Sequence, residues 1–238
     1  MSIKRGEITT KIIRNGLVFN MDAANRVSTK PISTITTSFN TIDTNISGAF
    51  SDNGIFDSST ITPSFAFGGT DDNIIINNDS SLNPTGDYTI SSWFKLSNTS
   101  GIRGIFWSSS STGYGGYGFW MNGTSLQFYQ GKAFGQWYNT AKSSLTTGVW
   151  YNAVGVSTST QNIKLYFNGE YNSETSTPNP IWYSTEGTQG IPQPKIGSYQ
   201  SYNYYFYGNI GNVHLYNRAL SAEEVLYNYN GLKSRFGL

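Results

Sequence analysis

Cysteine is absent from all 238 residues, which excludes a disulfide framework and every cysteine-based metal or nucleophilic site. Charge is scarce: 12% of residues are Asp, Glu, Lys or Arg, and the net charge is +1. Such a chain has no basic field with which to hold a nucleic acid. Histidine occurs once, at His214, with no nucleophile motif nearby, so Ser–His chemistry is not expected and the residue reads as an ordinary strand position. No stretch approaches the ~20 apolar residues of a membrane span, and no membrane insertion is expected. The opening "MSIKRGEITTKIIRNG" has basic residues but no apolar run behind them, and so does not read as a signal peptide.

Aromatics, by contrast, are plentiful: 17 Tyr, 14 Phe and 6 Trp make up 16% of the chain, ample material for a large core. They fall in short segments punctuated by turn signals. "SFAF" and "NIIIN" flank a Gly-Gly-Thr-Asp-Asp turn, and Asn122-Gly123 and Asn168-Gly169 sit at tight-hairpin positions. In "YTISSWFKL", Tyr88, Ile90, Phe94 and Leu96 share one strand face while Trp93 points to the other. Many short strands with turns about every ten residues predict an all-β, two-sheet antiparallel sandwich.

One segment breaks the pattern. In "LYNRALSAEEVLYNYNG", Ser221 and Glu224 have the spacing of a capping box, and Val225, Leu226 and Tyr229 form a narrow apolar stripe. Asn230-Gly231 supplies a left-handed stop. A helix of about two turns is too short to stand alone, so it must dock on the sandwich. The simplest division is an N-terminal arm (1–14), one domain (15–231) and a C-terminal tail (232–238).

Three blocks carry a resemblance: "FAFGGTDDNIIINNDSSLNPTGDYTISSWFKL", "SSLTTGVWYNAVGVSTSTQNIKLYFNGE" and "PKIGS…YFYGNIGNVHLYNRALSAEEV". In this order and spacing they resemble the concanavalin A-like, laminin G-like jelly roll, which includes the pentraxins, over residues 62–230. The resemblance implies a jelly-roll sandwich whose last strand delivers the chain into a short helix packed over the edge. The flank "GLVFNMDAAN" is similar to the leading strand joined to such domains in bacteriophage and bacterial surface proteins, and "NYNGLKSRFGL" resembles their terminus in tailed-bacteriophage virion proteins. That implies a particle-borne surface subunit, a capsid decoration or a tail- or fibre-associated protein, made in the host cytoplasm and contacting other virion proteins in many copies. The alternative is an extracellular or cell-surface carbohydrate-binding adhesin, and a glycoside hydrolase comes last.

The related glucanases place an acid-x-acid-x-acid pattern on one strand; here adjacent acids occur only in a turn (Asp71-Asp72) and a helix start (Glu223-Glu224), so no enzyme is expected. Pentraxin-type calcium sites need carboxylates where this chain has "WSSSSTGYGGYG" and "GSYQSYNYYFYG". Asp71, Asp72, Asp79 and Asp87 stand as the candidates for a different Ca²⁺ site, against the preferred reading that they stabilise turns. No cofactor is expected. The candidate binding residues are the aromatics set among Gly, Ser and Asn: Tyr114, Tyr117, Trp120, Tyr199, Tyr202, Tyr204, Tyr205 and Tyr207. Those of the 198–208 stretch are too dense for one buried face, which predicts an exposed interaction surface for protein or host glycan. The arm's "EITTKII" could add to a neighbour's sheet edge, and "KSRFGL" is a second docking peptide for a homo-oligomer or multi-copy assembly.

Overall fold

Strand alternation sorts the aromatics into inner and outer faces, and the fold follows from that sorting. A computed structural model describes residues 12–25, 36–51, 56–57, 62–109, 115–133, 136–158, 162–177, 193–199 and 204–238. Among these residues two eight-stranded antiparallel sheets form. The first runs Glu170–Ser176, Asn162–Phe167, Trp150–Ser157, Tyr88–Leu96, Tyr207–Tyr216, Ser64–Gly68 and Phe56–Asp57, with Leu17–Asp22 also paired to Tyr207–Tyr216. The second runs Gln136–Lys142, Ser125–Ala133, Tyr117–Asn122, Ile102–Ser108, Lys195–Ile196, Ile74–Ile76, Ser47–Phe50 and Thr37–Phe39.

Between them lies one apolar core. Tyr88, Ile90, Phe94, Leu96, Val213 and Leu215 from the first sheet meet Phe106, Phe119, Met121, Leu126, Phe128 and Ile196 from the second. Each such side chain, fully buried, is worth about 1.5–3 kcal/mol against leaving it in water. The sandwich is therefore the two-sheet jelly-roll class that the sequence indicates. At one rim the outermost strands of the sheets are laced together by short polar side chains. Thr140 and Ser173 share a hydroxyl–hydroxyl bond (2.6 Å), Thr175 donates to the Asn139 carbonyl (2.7 Å), and Asn172 donates to that of Ala141 (2.9 Å).

The capping box is formed: the Ser221 hydroxyl accepts from the Glu224 N–H (3.3 Å), and the Glu224 carboxylate accepts from the Ser221 N–H (3.0 Å). The same carboxylate takes two bonds from the Arg218 guanidinium, at 2.6 and 2.7 Å. The helix, however, does not stop at Gly231. It spans Ala222–Leu232 and continues as a 3₁₀ turn over Lys233–Phe236, reaching a left-handed φ of 77° only at Gly237. The cause is burial. Leu232 and Phe236 pack on Trp93 of the first sheet, and that gain outweighs the intrinsic cost of one helical glycine, about 1 kcal/mol.

Three further expectations are corrected here. Leu226 is exposed, and Asn228 takes the buried place on the stripe. Its amide accepts from the Ile13 N–H (2.7 Å) and donates to the Tyr216 hydroxyl (3.1 Å). Residues 232–236 are not a free docking tail, because Phe236 is buried and Arg235 forms a 2.8 Å ion pair with Asp22. The end of the arm, Ile12 and Ile13, packs on the chain's own second apolar cluster; residues 1–11 lie outside the described residues. Among the described residues, no helix is long and apolar enough to cross a membrane.

Candidate binding surface

The outer face of the second sheet carries an unbroken patch of aromatic rings. Because Phe106, Phe119 and Phe128 point into the core, their neighbours Trp107, Trp120 and Tyr129 point out. The register sets Trp107 opposite Gly118, Gly118 opposite Tyr129, and Gly131 opposite Trp137. Residues without side chains thus separate the rings and let them lie low. A Cβ on Gly118 would sit 2.9 Å from the Trp107 ring.

A two-stranded hairpin, Ser198–Tyr199 with Tyr204–Tyr205, lies over this face. It can do so because Gly104 lacks a side chain; a Cβ there would collide with the Ser198–Tyr199 backbone. Arg103 fixes the hairpin from below, donating to the Tyr205 carbonyl (3.1 Å) and to that of Ser100 (3.0 Å). Tyr199 then stacks on Trp120 (centroids 5.1 Å, planes 17° apart) and packs on Trp107 (4.5 Å). Tyr129 joins Trp137 (5.0 Å) and Trp107 (5.8 Å), while Tyr204 follows Tyr199 (5.9 Å).

Trp107 is the buried floor of the patch, and Trp120, Tyr129, Trp137, Tyr199 and Tyr204 are half-buried. Burial pushes the Tyr129 hydroxyl up to about 12, so it stays a neutral donor and acceptor. Beside the rings, Gln127 and Asn139 share an amide–amide hydrogen bond. Stiff rings with a polar amide rim can stack against the C–H face of a sugar and hydrogen-bond its hydroxyls.

Of the residues read from sequence, the structure brings together Trp120, Tyr199 and Tyr204. Tyr205 is half-buried, with its carbonyl held by Arg103. Tyr207 is exposed but belongs to the first sheet, beyond the Arg103 guanidinium, which lies 6.0 Å from its ring. Tyr117 is a correction: it is fully buried, its hydroxyl donates to the Leu82 carbonyl (2.9 Å), and its ring packs on Tyr88 (4.8 Å). Desolvation raises its hydroxyl pKa. It shares strand parity with Phe119 and Met121, which places all three inside. Tyr114 and Tyr202 lie outside the described residues. Trp107, Tyr129 and Trp137 were missed; the signal for the first two was their alternation with Phe106 and Phe128.

The four aspartates do not converge. Asp72 accepts from the Gly68 N–H and Asp71 from the Thr70 hydroxyl (2.9 Å). Asp79 caps a 3₁₀ turn by accepting from the Ser81 N–H (2.9 Å), a bond that lowers its pKa. Among the described residues, no group of three or more His, Asp or Glu is gathered for a metal ion.

The profile of one protein family, described as "Concanavalin A-like lectin/glucanases superfamily", matches residues 67–226. The chain belongs to the concanavalin A-like lectin/glucanase superfamily. No curated protein sequence matches it. Among solved structures, this superfamily domain resembles the receptor binding domain of botulinum neurotoxin mosaic serotype C/D, with a TM-score of 0.68 and 15% identity over 91% of this chain and 51% of that one. The receptor binding domain of botulinum neurotoxin D is similar, at a TM-score of 0.67 and 15% identity over 91% and 52%. The chain thus spans about half the length of these structures, and at such identities the likeness is one of fold.

Proposed function

We propose that this superfamily domain is a non-catalytic glycan-binding module and that the aromatic patch of the second sheet is its binding face. One observation carries the reading: Trp107, Trp120, Tyr129, Trp137, Tyr199 and Tyr204 form a continuous ring surface with the Gln127–Asn139 amides beside it. The strands beneath it contain no Asp or Glu, so the two carboxylates of a glycosidase have no seat there. With each aromatic contact worth about 0.5–1.5 kcal/mol, a few accessible rings give weak single-site binding, of a kind that multiple copies on one particle raise through avidity.

The flanking stretches support the setting. The resemblance of the first to bacteriophage and bacterial surface proteins, and of the second to tailed-phage virion proteins, favours a multi-copy surface subunit, a capsid decoration or a tail- or fibre-associated protein, that contacts other virion proteins and attaches to host glycans. A free or cell-surface adhesin uses the same binding face.

A glycan array on the intact chain tests the binding reading: hits that vanish in Trp137→Ala support it. Hits that survive in that variant and in Trp120→Ala place recognition elsewhere. Mass spectrometry of purified phage particles tests the setting, and absence of the chain from them overturns the virion reading alone.

A further inference from the structure

No carboxylate stands on the strands that build the ring surface, Ile102–Ser108, Tyr117–Asn122, Ser125–Ala133, Gln136–Lys142 and Lys195–Ile196. Two cations of these strands are engaged elsewhere. Arg103 stands opposite Met121 of the core and donates to the carbonyls of Ser100 and Tyr205, and Lys142 lies 5.7 Å from the centre of the Phe167 ring.

Lys195 is different. Its neighbour Ile196 is fully buried in the core, so Lys195 projects to the outer face, where it stands directly opposite Trp107 in the strand register. Side chains so paired have Cβ atoms about 4.5–5.5 Å apart. Lys195 is half-buried and, among the described residues, pairs with no carboxylate. Desolvation lowers its pKa, so its charged form is incompletely solvated. A partly dehydrated cation at the margin of an aromatic platform is a seat for an anion, since a charge-assisted hydrogen bond is about twice as strong as a neutral one.

We propose that the ligand of this face is an anionic glycan, with a pyranose ring on the aromatic surface and its carboxylate or sulfate on Lys195. This inference rests on the glycan-binding reading above and adds the ligand's chemical class. A neutral sugar would leave the Lys195 ammonium unpaired beneath it, whereas an acidic one pairs it.

Two matched pairs of polymers test it on the intact chain by calorimetry and affinity electrophoresis: polygalacturonate against its methyl ester, and dextran sulfate against dextran. The acidic member of at least one pair is expected to bind about tenfold tighter. That preference should shrink at high salt, fall towards equality in Lys195→Gln and return in Lys195→Arg. Whichever pair shows it distinguishes carboxylate from sulfate. Equal binding of both members, with sensitivity to Trp137→Ala, overturns the anionic ligand and leaves the aromatic platform standing. A preference that persists in Lys195→Gln overturns the role of Lys195. Failure of every polymer to bind overturns the platform reading and this one with it.

Discussion

The outer faces of the two sheets carry the same kind of side chain and meet opposite fates. On the first sheet, Trp93 is covered by the chain's own C-terminus: Phe236 stacks on it at 4.2 Å and 8°, and Tyr229 at 5.5 Å and 6°. Trp150 completes that packing, 4.7 Å from Phe236. Among the described residues, the second sheet receives a short hairpin, which adds Tyr199 and Tyr204 to the patch and leaves its rings half-buried. An exposed-looking aromatic in the sequence is therefore structural when the chain supplies a matching ring to lie on it. It becomes a binding candidate when the chain does not.

The comparison can be broken most directly at its closed side. Phe236→Ala should remove about 3–5 kcal/mol, the usual cost of a buried Phe, read as a lower midpoint in urea unfolding. A small shift would mean that the C-terminal cover adds little to the first sheet. Acid attacks the same side. Burial holds His214 neutral, drawing its pKa from 6.5 to about 4; Asp22 opposes that fall and Arg235 adds to it. Between those values the folded state binds fewer protons than the unfolded one. Stability is therefore full above pH ~6.5 and falls as pH drops towards 4, by roughly 3 kcal/mol in total. Unfolding measured across this range should show the slope, and His214→Gln should flatten it.

Smaller effects sharpen the contrast. Ser221→Ala removes the helix cap and should cost about 1 kcal/mol; no change would show that the Arg218–Glu224 pair alone fixes the helix start. On the open face, Trp137→Ala removes ring contacts with Tyr129 and Trp107 and should cost about 1–3 kcal/mol, less than Phe236→Ala, while abolishing glycan binding. A large loss of stability there would make the second face as structural as the first.

The sandwich was legible because turn chemistry and strand alternation are local: Asn122-Gly123, Asn168-Gly169 and the split of Trp93 from Phe94 need no long-range knowledge. The helix start was equally local, written in Ser221 and Glu224. Its end was not, because the continuation through Gly231 is fixed by the burial of Phe236 against a strand some 140 residues earlier in the sequence, beyond the reach of any propensity. At the binding surface, density of tyrosine led to Tyr199 and Tyr204 but also to Tyr117, whose parity with Phe119 assigns it to the core. Trp107, Tyr129 and Trp137 are dispersed over three strands, and only the register brings their rings together.

The hydroxyl and amide lacing at the rim bears on how crowded copies of this chain behave. A sheet border normally offers unpaired carbonyls on which another molecule can build, and a low charge provides little repulsion to hold copies apart. Here the carbonyls of Asn139 and Ala141 are already occupied by Thr175 and Asn172. Two acceptors along this border are thus satisfied from within, and a neighbour's strand would have to displace the Thr175 hydroxyl and the Asn172 amide to build there.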